Sequence, residues 1–131
     1  MGRVVLLACV GLVLAGCTQT EPSVYKAEGT AKCLRDTGYG VTTDPARVGV
    51  VAAAAPNGGL LAREPGNAVT IAFAADSGDA ESIAAAMRRF APKPRRGKIT
   101  DNMHTQKNAV LLWTIAPPVE ELNKVFGCLK G

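Results

Sequence analysis

Residues 60–75, LLAREPGNAVTIAFAA, determine which fold the sequence predicts. Two apolar runs flank residues 65–67, PGN, and this composition is typical of a tight turn between two strands. In the second run Val69, Ile71 and Phe73 alternate with smaller residues, so one face of that strand should contact a hydrophobic core. The stretch therefore predicts a β-hairpin with one buried face.

The segment after the hairpin predicts a helix. Residues 76–79, DSGD, offer side chains that cap helix N-termini. Apolar residues then recur at helical spacing, with Arg88 and Arg89 on the opposite side. These apolar positions are Ala80, Ile83, Ala84, Met87, Phe90 and Ala91. The pattern predicts an amphipathic helix that packs on the sheet.

The flanking segments add further helices and strands. Residues 24–37 favour a helix, residues 39–43 a short strand, and residues 108–115 a central strand that is covered on both faces. The prolines at 117–118 predict the start of a last helix. Its expected buried stripe consists of Val119, Leu122, Val125, Phe126 and Leu129. Residues 48–55 fit a buried strand and an Ala-rich helical turn equally well.

The order of these elements predicts an α+β fold. We expect a two-layer sandwich, with a mainly antiparallel sheet of about four strands and about three helices on one of its faces. The chain has 131 residues, and residues 24–131 are expected to form a single domain. The formal net charge of +4 is too small to indicate nucleic-acid binding.

The N-terminal residues have the layout of a signal peptide. Arg3 precedes an apolar run over residues 4–14, and small residues follow. At ~1.5 Å per helical residue, this run reaches only about half of the ~30 Å hydrocarbon core of a bilayer. The run therefore predicts an export signal rather than a membrane-spanning helix.

The signal ends in the sequence Leu14-Ala15-Gly16-Cys17, which resembles the lipobox of bacterial lipoproteins. The resemblance covers residues 1–17 only. It implies that residues 1–16 are removed and that Cys17 carries a thioether-linked diacylglycerol, often with a further acyl chain such as palmitate. Residues 17–23 would then be a lipidated tether in the cell membrane or outer membrane, exposed outside the cytoplasm. The alternative is an ordinary signal peptide with a coincidental cysteine.

The cysteine count bears on the mature domain. Of the four cysteines, Cys9 would leave with the signal and Cys17 would carry the lipid. Cys33 and Cys128 remain, and two thiols in an exported domain predict a disulfide that clamps the first helix to the last. A redox pair is the alternative, but neither cysteine lies in a Cys-x-x-Cys arrangement.

Lys93, Arg95, Arg96 and Lys98 form a basic segment, predicted as a loop because Pro92 and Pro94 interrupt the helical pattern. On a domain tethered close to a bilayer, the four cations could contact anionic lipid headgroups. The alternative is a solvated connection between two elements, and we favour it because runs of charged residues are usually exposed to solvent.

No catalytic, metal or cofactor site is expected from the sequence. His104 is the only histidine and is predicted to lie in a solvated loop. An enzyme would have to draw on Asp76, Asp79, Asp101 or His104 from loops, and the sequence contains no nucleophile elbow, zinc-binding helix or phosphate loop.

The function expected from these features is binding. The first hypothesis is a membrane-anchored, non-enzymatic envelope lipoprotein that binds a protein or another envelope component. The alternative is a carrier or sensor of a small hydrophobic ligand, which would need a cavity lined by Trp113, Phe73 and Met87. Trp113 and Tyr39 could line such a pocket, but core packing is the more common use of buried aromatic residues.

Overall fold

A computed structural model describes residues 24–131 of the chain. The predicted signal peptide (1–16), the motif from Leu14 to Cys17, the lipidation of Cys17 and the tether (17–23) lie outside these residues. The described residues form an antiparallel sheet in the order β1-β2-β3-β5-β4. The strands are β1 (Gly40–Thr42), β2 (Gly59–Glu64), β3 (Asn67–Phe73), β4 (Met103–Gln106) and β5 (Ala109–Trp113). The helices are α1 (Ala27–Asp36), α2 (Pro45–Val48), α3 (Val50–Ala53), α4 (Ser77–Phe90), α5 (Lys93–Arg96), α6 (Ile99–Asn102) and α7 (Val119–Cys128).

The predicted hairpin is confirmed as β2 and β3. Leu60 pairs with Ile71, and Gly66 in the intervening turn has a φ of +87°. Glycine adopts this left-handed conformation without strain because it has no Cβ. On its other side β3 pairs with β5, where Ile71 lies opposite Leu111. Residues 108–115 therefore contain the central strand that was predicted.

The α+β class is confirmed, but the expected arrangement of about four strands with about three helices on one face is wrong. The described residues contain five strands and seven helices, and helices cover both faces of the sheet. Ile71 and Leu111 belong to the core on one face, whereas Ala72 and Val110 belong to the core on the other. Because both alternations of β3 and β5 are apolar, each face has to be covered.

One face of the sheet packs against α1 and α7. The Cys33–Cys128 disulfide joins these helices, with its Cα atoms 5.3 Å apart, so the predicted clamp is confirmed. The large buried side chains on this face are Leu34, Leu60, Ile71, Phe73, Leu111, Trp113 and Val125. Val119 was predicted to be buried and is 71 % exposed, because α7 begins at this residue beyond the core.

The opposite face packs against α3, α4 and α6. The helix predicted after the hairpin is confirmed, and its Asp76 side chain caps it by accepting a hydrogen bond from the Asp79 N–H at 2.8 Å. The buried residues of this second core include Val48, Ala52, Ala80, Ile83, Ala84, Met87, Ile99, Met103 and Val110. Phe90, predicted to be buried, is the last residue of α4 and is 64 % exposed.

Two predicted loops contain regular structure. The basic segment includes α5, because Pro94 lies in the first turn of a helix, where its missing N–H is not needed. His104 lies in edge strand β4 and pairs with Leu111, so its prediction as a loop residue is wrong. The ambiguous residues 48–55 contain the last residue of α2 and the whole of α3, and no strand.

Candidate functional site

A cleft of about 280 Å³ opens on the face of the sheet that α3 and α4 cover. Leu112 and Thr70 from the sheet contribute to its lining. Its remaining walls come from α3, the C-terminal part of α4, α5 and α6. The apolar residues of these walls include Val50, Val51, Met87, Phe90 and Ile99. The cleft can therefore accept an apolar group.

Two glycines determine where α3 lies and hence where the cleft opens. Gly49, between α2 and α3, has a φ of +92°, which turns the chain sharply before Val50. Gly59 in β2 faces the Ala52 backbone so closely that a Cβ at this position would collide with it. The absence of a side chain at Gly59 lets α3 lie directly on the sheet.

Two exposed apolar side chains stand at the rim of the cleft. Val50 is 70 % exposed and Phe90 is 64 % exposed, and both line the cleft. The same two residues also line an adjoining groove of about 410 Å³, which Asp79 and Ser82 border. Large apolar side chains at such exposure cost free energy in water, so the rim is a candidate contact surface.

The basic segment stands beside this rim. The Arg96 guanidinium donates hydrogen bonds to the Ala91 carbonyl at 3.0 Å and to the Arg89 carbonyl at 3.5 Å. These bonds hold α5 against the C-terminal end of α4. Arg95 consequently lines the cleft, while Lys93 and Lys98 are exposed.

The cations of this segment have no carboxylate partner within residues 24–131. The one ion pair within 4.0 Å in that range joins Lys32 to Asp36, at 3.7 Å on α1. Arg96 is occupied by the backbone of α4, so Lys93, Arg95 and Lys98 are the members available to an external anion. The cleft thus combines an apolar lining with positive charge at one side.

The residues considered for catalysis do not converge. Asp76 and Asp79 cap α4, where the Asp79 carboxylate accepts a hydrogen bond from the Ala75 N–H at 2.9 Å. Asp101 is exposed on α6. The His104 ring meets the Trp113 ring edge-on, with centroids 5.4 Å apart. No group of three or more potential metal ligands occurs within the described part of the chain.

Of the three residues named for a carrier cavity, Met87 and Trp113 are lining residues of the cleft, whereas Phe73 is not. Phe73 and Met87 lie in cores on opposite faces of the sheet. The Trp113 side chain is 2 % exposed and packs in the core beneath α1 and α7. Tyr39 is 6 % exposed in the same core. The apolar site is therefore a surface cleft that shares Met87 and Trp113 with the expected cavity and takes its other walls from residues that were not named for it.

A second polar cluster surrounds Glu121, a buried residue of α7 that sequence reasoning missed. The Trp113 indole N–H donates to its carboxylate at 3.2 Å, and the Asn67 amide donates at 3.4 Å. Glu121, Val125 and Cys128 lie on one stripe at intervals of four and three residues, so helical periodicity could have predicted its burial.

Two neighbours of Glu121 have raised pKa values. Burial, and then a hydrogen bond and charge repulsion from Glu121, raise the pKa of the Glu64 carboxyl, while Lys124 opposes the shift. Burial and the nearby Glu64 and Glu121 charges raise the pKa of Tyr39 to about 12. The Tyr39 hydroxyl is buried and has no hydrogen-bond partner among the described residues. Glu121 and Tyr39 are buried whereas Glu64 and Asn67 are partly exposed, so this cluster lies at the edge of the core between α7 and the sheet.

Comparisons of the chain with protein-family models, curated proteins and solved structures yield no match. Within residues 24–131, every helix is too short or too polar to cross a membrane.

Proposed function

We propose that this chain is an exported, lipid-anchored envelope protein whose single domain is a non-enzymatic binding module. Its binding site is the cleft between α3, α4 and α5. The observation that carries the proposal is the pair Val50 and Phe90, two largely exposed apolar side chains on the rim of an apolar cleft. The ligand supplies an apolar group and belongs to the envelope, and neither a cofactor nor nucleic acid is involved.

The anchor is proposed from the N-terminal sequence. The charged start, the apolar run and the Leu14-Ala15-Gly16-Cys17 motif support lipidation of Cys17. Two acyl chains on one cysteine would hold the protein stably at a membrane, where a single chain would not. The Cys33–Cys128 disulfide is compatible with export, because such bonds persist in oxidising compartments.

The anchor is tested by the intact mass of the chain isolated from its own membranes. We expect a chain that begins at Cys17 and carries the mass of its acyl groups. A chain that begins elsewhere, or that carries no acyl mass, would contradict the proposed anchor. That result would not bear on binding in the cleft, which is tested by a different experiment.

The cleft is tested with N-phenyl-1-naphthylamine, a neutral apolar dye that fluoresces when it leaves water. Burial of one large apolar side chain against a ligand contributes about 1.5–3 kcal/mol, so F90S should weaken dye binding about tenfold or more. V50S should weaken it in the same direction. V119S is the matched control, because Val119 is 71 % exposed on α7 against the other face of the sheet.

Equal dye affinity in F90S, V50S, V119S and the unaltered chain would contradict the proposed site. Because all three substitutions replace exposed side chains, the fold should persist, and thermal unfolding verifies this for each variant. A small hydrophobic ligand and an apolar side chain of a partner protein both fit the cleft. Its volume of about 280 Å³ lies near the lower limit of small-molecule sites, about 300 Å³.

A further inference from the structure

We propose that the rim of the cleft docks on an anionic lipid bilayer, so that the cleft opens toward the membrane. This inference deepens the proposed function and rests on it for the location of the domain beside a membrane. The docking surface consists of Val50, Phe90, Lys93, Arg95 and Lys98, and we call it the docking face.

The apolar part of the docking face is suited to the boundary between headgroups and acyl chains. Val50 and Phe90 are among the most exposed large apolar residues of the described chain. They come from two different helices, and both line the cleft and its adjoining groove. Two apolar side chains that project together from a folded surface can enter the interface of a bilayer without any change of fold.

The docking face is positively charged, and this charge favours an anionic membrane as its partner. Between residues 88 and 102 the sequence contains six basic residues and one acidic residue, Asp101. Arg95 lines the cleft itself. Lys93 precedes Arg95 in the sequence, Lys98 follows it, and both lysines are exposed. Cations that surround an apolar projection are attracted to the negative surface of a bilayer rich in anionic lipids.

The other exposed apolar residues lack this combination. Val119 is 71 % exposed and Ile115 is 58 % exposed, but the exposed acidic residue Glu120 follows Val119 directly. On the same side of the sheet, Lys32 of α1 is paired with Asp36. An anionic bilayer would therefore select the face that carries the cleft and would leave α1 and α7 directed away from it.

Docking in this orientation gives the cleft direct access to lipid. A ligand with an apolar group could then pass between the bilayer and the cleft without crossing water. A bilayer contact of this kind needs only a shallow apolar surface, which agrees with the small volume of the cleft.

The test uses the full chain isolated from its membranes, with a tryptophan placed on each side of the sheet. F90W places the reporter on the docking face, and K32W places it on α1 at a side chain that is 82 % exposed. The variants are bound to vesicles whose phosphatidylcholine carries brominated acyl chains, with and without phosphatidylglycerol. Trp113 is 2 % exposed, and its emission is subtracted with the unaltered chain bound to the same vesicles.

We expect bromolipid to quench F90W at least about twofold more strongly than K32W on vesicles that contain phosphatidylglycerol. The difference should disappear without phosphatidylglycerol and in F90W combined with K93Q, R95Q and K98Q. Arg96 is left intact in that variant because it holds α5 on α4.

Equal quenching of F90W and K32W would overturn the docking proposal, as would quenching that does not depend on lipid charge or an absence of bound chain on anionic vesicles. Dye binding in the cleft separates the two proposals. A chain that binds the dye but shows no preferential quenching of F90W has the proposed cleft and lacks the docking face, which would leave a protein partner or a free ligand as its occupant.

Discussion

Tyr39 is held in the core although burial of its hydroxyl without a hydrogen-bond partner in the described part of the chain costs free energy. Burial, and then the charges of the nearby Glu64 and Glu121, raise the pKa of Tyr39 to about 12. In the unfolded chain the pKa of the phenol is its ordinary value of 10.0. The unfolded state therefore releases its proton first, and the contribution of Tyr39 to stability is lost as the pH rises from 10 toward 12.

The substitution Y39F tests this account. Below pH 10 it removes a buried hydroxyl that has no partner, so we expect stability to be unchanged or higher by up to about 1 kcal/mol. Above pH 10 the variant should lose stability less steeply than the unaltered chain. Urea unfolding at pH 8 and pH 11 measures both effects, and a loss of more than about 1 kcal/mol at pH 8 would show that the hydroxyl makes a hydrogen bond.

Among the elements, α3 depends on the glycine beneath it. Gly59 permits α3 to contact β2, and a Cβ at this position would collide with the Ala52 backbone. We expect G59A to lower the free energy of unfolding by about 1–3 kcal/mol through overpacking. It should also weaken dye binding, because the shift of α3 displaces Val50.

G127A is the matched control for this substitution. Gly127 lies in α7, and a Cβ there would have no heavy atom within 4 Å. Alanine at a helical position should stabilise the chain by about 0.5–1 kcal/mol and leave dye binding unaltered. If G59A bound the dye as tightly as G127A, the position of α3 would not determine the cleft.

Prediction from sequence succeeded for elements that carry their own signal. The β2–β3 hairpin has a turn sequence between two apolar runs, and α4 has both a capping residue and an apolar stripe. β4 has no such signal, since its residues MHTQ acquire strand geometry from pairing with β5. Its pairing could not be read from local sequence, and for that reason His104 was predicted to lie in a loop.

The candidate site was harder to predict than the fold. Phe90 continues the apolar stripe of α4, so periodicity alone predicted its burial. Its exposure depends on where the helix ends relative to the sheet, which is a property of packing. The cleft also needs α3, whose sequence fitted a strand and a helix equally well. The basic residues were identified from sequence, but only the structure places Arg95 beside the cleft and Arg96 on the α4 carbonyls.

The two faces of the sheet differ in the whole molecule. A disulfide joins the helices on one face, whereas the helices on the other face leave a cleft between them. The Cys33–Cys128 disulfide links residues 95 positions apart and fixes α1 to α7. Removing it with C33S and C128S should lower the free energy of unfolding by about 4–5 kcal/mol, because the unfolded chain gains loop entropy. Denaturant unfolding without reductant measures this loss, and a change below about 1 kcal/mol would contradict it.

The same double variant separates stability from binding. The cleft lies across the sheet from the disulfide, so we expect the folded fraction of the variant to bind the dye with the affinity of the unaltered chain. A large loss of affinity in the folded fraction would show that the two faces are coupled through the sheet.

The cleft between α3, α4 and α5 is proposed to bind an apolar group. The most direct measurement is the set of intermolecular nuclear Overhauser effects between N-phenyl-1-naphthylamine and the methyl and aromatic protons of the isotopically labelled chain. We expect cross-peaks to Val50, Met87, Phe90, Ile99 and Leu112, which line the cleft. Cross-peaks to Ile115 and Val119 instead, or none to the cleft residues with the dye bound, would contradict the proposed site.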